Sequence, residues 1–187
     1  MFTLNHRMDY TLEIGDIVYQ VDMAFDNVLL FLEILNDKSL TDIEKIHFGI
    51  NILLGVSFLL PLEYQYQIFN TLVKEFIGSE AEELDLDMDG NPLPMSKKAK
   101  NYDLKYDAEY IYASFMQAYG IDLIEQQGKL HWYKFKALLN GLPEGTKFMS
   151  VLDIRTREER KGMSPEEKRD LKKLKKQYAL PCEGGGS

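Results

Sequence analysis

The chain has 187 residues, 45% of them apolar, and 30 acids against 22 lysines and arginines, for a net charge of −8. That length suits one domain or two small ones with a sizeable core. The acidic balance argues against a nucleic-acid binder as a whole. The one cysteine, Cys182, gives neither a disulfide framework nor a metal quartet.

No stretch reaches the ~18 consecutive apolar residues of a membrane span. The longest apolar-rich run, Ile50 to Leu62, is interrupted by Asn51, Gly55 and Ser57. The opening MFTLNHRMDY has no signal-peptide core.

In chain order, Tyr10 to Ile14 and Ile17 to Val21 read as two short strands. Gly15-Asp16 joins them, and glycine in the first loop position predicts a type II′ hairpin. An isolated hairpin is marginal, so it must lie against the helices that come after it. Phe25 to Leu35 reads as a helix capped by Asp26, burying Val28, Leu29, Leu32 and Leu35. Thr41 and Glu44 form a capping box for a second helix with an Ile43, Ile46, Ile50, Leu53 stripe. Pro61 opens a third helix, ending at Gly78, with Leu62, Gln65, Phe69, Leu72, Val73 and Phe76 as its pattern.

Residues 79–101 change character. Six acids from Glu80 to Asp89 meet no basic residue until Lys97, and Pro92 and Pro94 break the run. This reads as a flexible acidic linker. Within it, Asp85 to Gly90 copies the first half of a calcium loop, but position twelve is Ser96, where a bidentate glutamate is required. A solvated acidic stretch accounts for it.

Residues 103–145 hold the only tryptophan and a dense run of aromatics. Asp103 is placed to cap a helix running to Ala118 or Tyr119, and Gly120 supplies a left-handed stop. Tyr106, Tyr110, Ala113 and Met116 fall at helical spacing, widened by Ile111 and Phe115. Asp122 restarts a short helix that Gly128 breaks. Leu130 to Asn140 form another, with Trp132, Phe135, Leu138 and Leu139 as its apolar face. Thr146 is placed to cap a helix carrying Phe148, Val151, Leu152 and Ile154. Ser164, Pro165 and Glu167 mark the start of a basic C-terminal helix. Residues 155–176 hold ten lysines and arginines against five acids. A solvated or docked terminal helix explains them better than nucleic-acid binding does. The closing EGGGS reads as a linker remnant and carries no function.

No catalytic or metal motif emerges. His6, His47 and His131 lie in different elements without ligand spacing. Asp107, Glu109 and Asp122 read as caps and solvated faces. Ser114 has no partner pattern, and no nucleophile elbow, phosphate loop or dinucleotide fingerprint is present. The expectation is a non-enzyme without cofactor or metal.

The wording YDAEYIYASFMQAYGIDLIEQQGKLHWYKFKALLNGLPEGTKFMSVLDIR, with GIDL, LHWYKF and a closing IR, resembles the bacteriophage gene-product-fifteen family. The resemblance is strongest over about residues 102–156. Members are encoded in the tail module of long-tailed phages, next to the tape-measure gene. It implies a tail-assembly factor with the tape-measure protein and tail tube subunits as partners. It further implies a place in the host cytoplasm during assembly and absence from the mature virion.

The reading is then a mainly α protein, helical bundle-like halves with a small N-terminal β-hairpin. It runs as 1–78, an acidic linker 79–101, a signature region 102–180 and a tail 181–187. Helices 103–119 and 130–140 are expected to form a groove for the tape measure, with Phe115, Tyr119, Trp132 and Phe135 as apolar anchors. A structural tail or connector component retained in the virion is the alternative, and self-association is left open.

Overall fold

The computed structural model describes residue 5 and residues 10–56, 60–78 and 101–181. The acidic stretch 79–100 with its calcium-like Asp85–Gly90, together with His6, Cys182 and the glycine-rich end, lies outside them. Among the described residues the chain is mainly helical with one antiparallel hairpin. In order these are β1 (Thr11–Ile14), β2 (Ile17–Gln20), α1 (Phe25–Asn36), α2 (Asp42–Leu54), α3 (Leu62–Leu72), α4 (Ala108–Tyr119), α5 (Trp132–Asn140), α6 (Lys147–Thr156) and α7 (Pro165–Gln177). They divide into two compact units. One is Met1–Ser96 with Gln127–Lys136, the other Lys97–Gln126 with Ala137–Ser187.

In the first unit the hairpin register pairs Ile14 with Ile17, leaving a two-residue loop. Gly15 has φ of 61° and no non-glycine residue has positive φ among the described residues. Only the first loop position is left-handed, as a type II′ turn requires. The hairpin leans on helices as expected: the Asp22 amide donates to the Leu53 carbonyl at the end of α2, at 2.7 Å.

α2 starts on the Thr41–Glu44 capping box. The Glu44 carboxylate accepts the Thr41 amide at 2.8 Å, and the Glu44 amide reaches the Thr41 hydroxyl at 3.3 Å. The Thr41 amide, and then the Thr41 hydroxyl, which also donates to that carboxylate, hold the Glu44 carboxyl below its ordinary value. The α2 stripe is Ile46, Ile50, Leu53 and Leu54 as patterned, but Ile43 is exposed.

In α1 the buried face is Phe25, Val28 and Phe31 rather than the leucines, which lie at the margins. Asp26 caps nothing there; its carboxylate accepts the Gly128 amide at 2.9 Å. α3 gives way at Val73–Ile77 to a π-helical turn, which carries Phe76 and Ile77 inward before Gly78 ends it.

Gly49 is the close-packing point of this unit. A Cβ there would lie 2.6 Å from the Phe31 ring and 2.7 Å from the Phe69 ring, both buried. The glycine lets α2 lie against α1 and α3, where two phenylalanines fill the space a side chain would take. Gly49→Val is expected to destabilise this unit by about 1–3 kcal/mol, read as a lowered urea midpoint. Phe31→Leu in the same chain should recover part of the loss.

The segment 127–136 packs with the first unit, where the sequence pattern keeps 102–180 together. Backbone pairing holds it. The Phe25 amide donates to the Leu130 carbonyl at 2.9 Å, and the Trp132 amide to the Met23 carbonyl at 2.7 Å. His131 is therefore extended and bridged to Ala24, Leu130 lies in the bend before it, and α5 begins two residues later than its apolar pattern suggests. Phe135 stacks on Phe25 at 5.0 Å.

In the second unit, Gly120 ends α4 in the left-handed region, its amide donating to the Met116 carbonyl, as expected. Asp122 starts a turn rather than a helix. Its carboxylate caps the Ile124 and Glu125 amides, and no helix follows before α5. α7 carries the full Ser164–Glu167 box with Pro165 in its first turn. Leu171 is its one buried residue.

Candidate partner-binding surface

α4 has two contrasting faces, and the second unit is built around the inner one. Asp103 does not start the helix; its carboxylate caps the Lys105 and Tyr106 amides in a preceding turn. Further on, Asp107 occupies the N-cap position, but its side chain is drawn inward. It is fully buried, and Arg155 of α6 meets it with two parallel hydrogen bonds of 2.7 Å each. The same guanidinium donates to the Tyr178 carbonyl at 2.5 Å and the Asn101 carbonyl at 3.1 Å. The Asp103 amide donates to Asp107 at 3.0 Å. A planar five-donor fork is what such a four-way junction requires.

Further along the same face, Ser114 is buried as well. Its hydroxyl donates to the Tyr110 carbonyl at 2.6 Å and accepts the Phe148 amide at 2.9 Å. That amide is an orphan donor at the start of α6. Thr146 holds the N-cap position but turns its hydroxyl to the Pro143 carbonyl, so Ser114 caps α6 from outside. The inner face of α4 is thus Asp107, Ile111, Ser114 and Phe115.

The expected stripe lies opposite. Tyr106 is 60% exposed and Met116 42%, with Ala113 exposed between them. Tyr110 is half-buried, edge-on to Tyr178 at 6.0 Å with the Lys147 ammonium near both rings.

Of the expected anchors, Phe115 is fully buried in the second unit, and Trp132 and Phe135 are buried in the first. Tyr119 is half-buried, edge-on to Phe115 at 5.6 Å, its hydroxyl donating to the Leu138 carbonyl at 2.9 Å. Trp132 stacks on Phe135 at 5.6 Å, and its indole N–H finds no acceptor among the described residues. These rings fill the interior of their own units, where packing holds them.

The first unit carries a second polar feature. His131 lies against Tyr10 at 5.1 Å and Tyr133 at 5.5 Å. The Tyr133 amide donates to Nδ1 at 3.2 Å, so the neutral ring carries its proton on Nε2, which has no acceptor among the described residues. Burial, then the Lys134 charge, pulls the imidazole below its ordinary value. An open cleft of about 470 Å³ beside it is lined by Asp22, Met23, Leu54 and Gly55 among others. Asp22 is already committed to the Ala24 amide and the Asn27 amide group. Among the described residues no group of three or more His, Cys, Asp or Glu is arranged to hold a metal. No helix among them is long and apolar enough to cross a membrane.

Removing one partner of the junction leaves a buried charge. Arg155→Ala is expected to cost about 3–5 kcal/mol in chemical denaturation. Arg155→Lys should not restore it, because one ammonium cannot make the parallel pair. At His131 the folded state disfavours the charged ring. Its contribution to stability is complete above the ordinary value of 6.5 and is lost as pH falls through the lowered one. The urea midpoint should therefore fall from about pH 7 to about pH 5. His131→Gln should flatten that slope, leaving the later loss in the carboxylate range where Glu44 and Glu167 act.

Neither the comparison with curated proteins nor that with solved structures returned a match. A family model described as Bacteriophage Gp15 protein matches residues 4–180, almost the whole chain. That match extends the sequence resemblance across the hairpin and first three helices as well as the 102–156 signature. It suggests a structural or tail-related phage protein. The chain belongs to the bacteriophage Gp15 protein family.

Proposed function

We propose that this protein is a tail-assembly chaperone that binds the tape-measure protein and holds it for enclosure by tail tube subunits. A tape measure is a long helical polypeptide whose apolar stripes stand exposed until the tube surrounds them, and such stripes aggregate. A well-formed acidic helical protein with apolar side chains held outward suits that task. The observation that carries the reading is that outward exposure: Phe48 and Tyr64 in the first unit, Tyr106 and Met116 in the second. Several weak contacts would sum to useful affinity yet permit displacement by tube subunits. The work would be done in the host cytoplasm during assembly.

The structural character of the family favours a second reading, a tail or connector component retained in the virion. Co-expression with the tape-measure product of the same phage separates the two. The chaperone reading expects a soluble complex on pull-down and no trace of this chain in purified virions by mass spectrometry. Absence of a complex together with abundant chain in virions would replace it with the structural reading.

A further inference from the structure

We propose that the outer face of α4 is the docking surface for an amphipathic helix whose apolar stripe is flanked by lysine or arginine. This deepens the partner-binding reading and rests on it only for the partner's name. Ala113 and Met116 lie three residues apart on that face and Tyr106 stands in the turn that leads into it, all exposed, with Tyr112 half-buried at its edge. The inner face of α4 is already filled by Ile111, Ser114 and Phe115, so the apolar Ala113 and Met116 are surplus to its own packing. Ala113 is small enough for a second helix to approach closely between Tyr106 and Met116. Tyrosine and methionine are residue types that interfaces favour, and methionine adapts its shape.

Charge selects the occupant. Glu109 sits on the same outer face of α4 and has no ion-pair partner among the described residues. Asp122 and Glu125 follow at its end, with Lys105 as the one base at its start. A second copy of this chain would bring Glu109 against Glu109, with little cation to offset it. The basic helix α7 is no substitute, because Leu171 is buried in its own unit and Leu174 alone stands exposed, too little for an apolar stripe. A helix from another protein, apolar along one side and basic beside it, meets both demands.

The test titrates the ¹⁵N-labelled full chain with a synthetic amphipathic helical peptide of leucine and lysine, and with its leucine–glutamate counterpart. The expected result is saturable shifts of the Tyr106, Glu109, Ala113 and Met116 amides with the lysine peptide alone. Met116→Asp and Ala113→Arg should each weaken binding about tenfold or more. Both positions are exposed, so the signals of Ile111 and Phe115 should stay in place and report an intact fold. Glu109→Lys should move the preference toward the glutamate peptide.

Shifts centred elsewhere, or variants that bind as the parent does, would overturn the proposal. Broadening of the same signals with protein concentration alone would assign the face to a second copy and overturn it too. A tape-measure complex that survives Met116→Asp would refute this docking face while leaving the chaperone reading standing. Lysine-peptide binding at α4 without any tape-measure complex would refute only the partner's name.

Discussion

The Arg155–Asp107 junction is the constraint on which the second unit depends. A carboxylate with no solvent exposure is tolerable only when its lone pairs are filled, and here a guanidinium and a backbone amide fill them. The same guanidinium reaches the carbonyls of Asn101 and Tyr178. One side chain thereby fixes the turn before α4, the helix α6 and the end of α7. Ser114 repeats the device further along α4, closing the start of α6 with its hydroxyl. With Ile111, Ser114 and Phe115 turned inward, α4 leaves Ala113 and Met116 outside, beyond Tyr106 in the turn before it.

Local chemistry is readable in the sequence. Two capping boxes, the hairpin turn at Gly15 and the left-handed stop at Gly120 each depend on a few adjacent residues, and each stands where its pattern places it. What the pattern does not convey is polarity satisfied from far away. Asp107 finds its partner 48 residues on, and the Ser114 hydroxyl accepts the Phe148 amide 34 residues on. Read alone, both look like solvent-facing residues, so the stripe through Tyr106 and Met116 looks like core. The structure turns the helix round. Leu130 and His131 show the same effect: helical in pattern, they are held out of the helix by pairing with Met23, Ala24 and Phe25.

The aromatic wealth of the 103–145 region divides accordingly. The groove reading takes Phe115, Trp132 and Phe135 as anchors that face a partner. Two separate interiors take them instead: Trp132 and Phe135 close the first unit, and Phe115 fills the second. The wording that distinguishes the family is therefore largely structural wording. Asp107, Ser114 and Arg155 hold a helix, and LHWYKF supplies a strand-like bridge and a stacked aromatic core. The exposed residues left over, rather than the buried rings, are where a partner is to be sought.

Hydrogen exchange on the chain alone and in complex with the co-expressed tape-measure protein tests the α4 docking face most directly. New protection is expected along residues 105–117, with the segment around Trp132, buried in the first unit, unchanged. Protection confined to other elements, with the α4 segment exchanging as it does in the free chain, would contradict it.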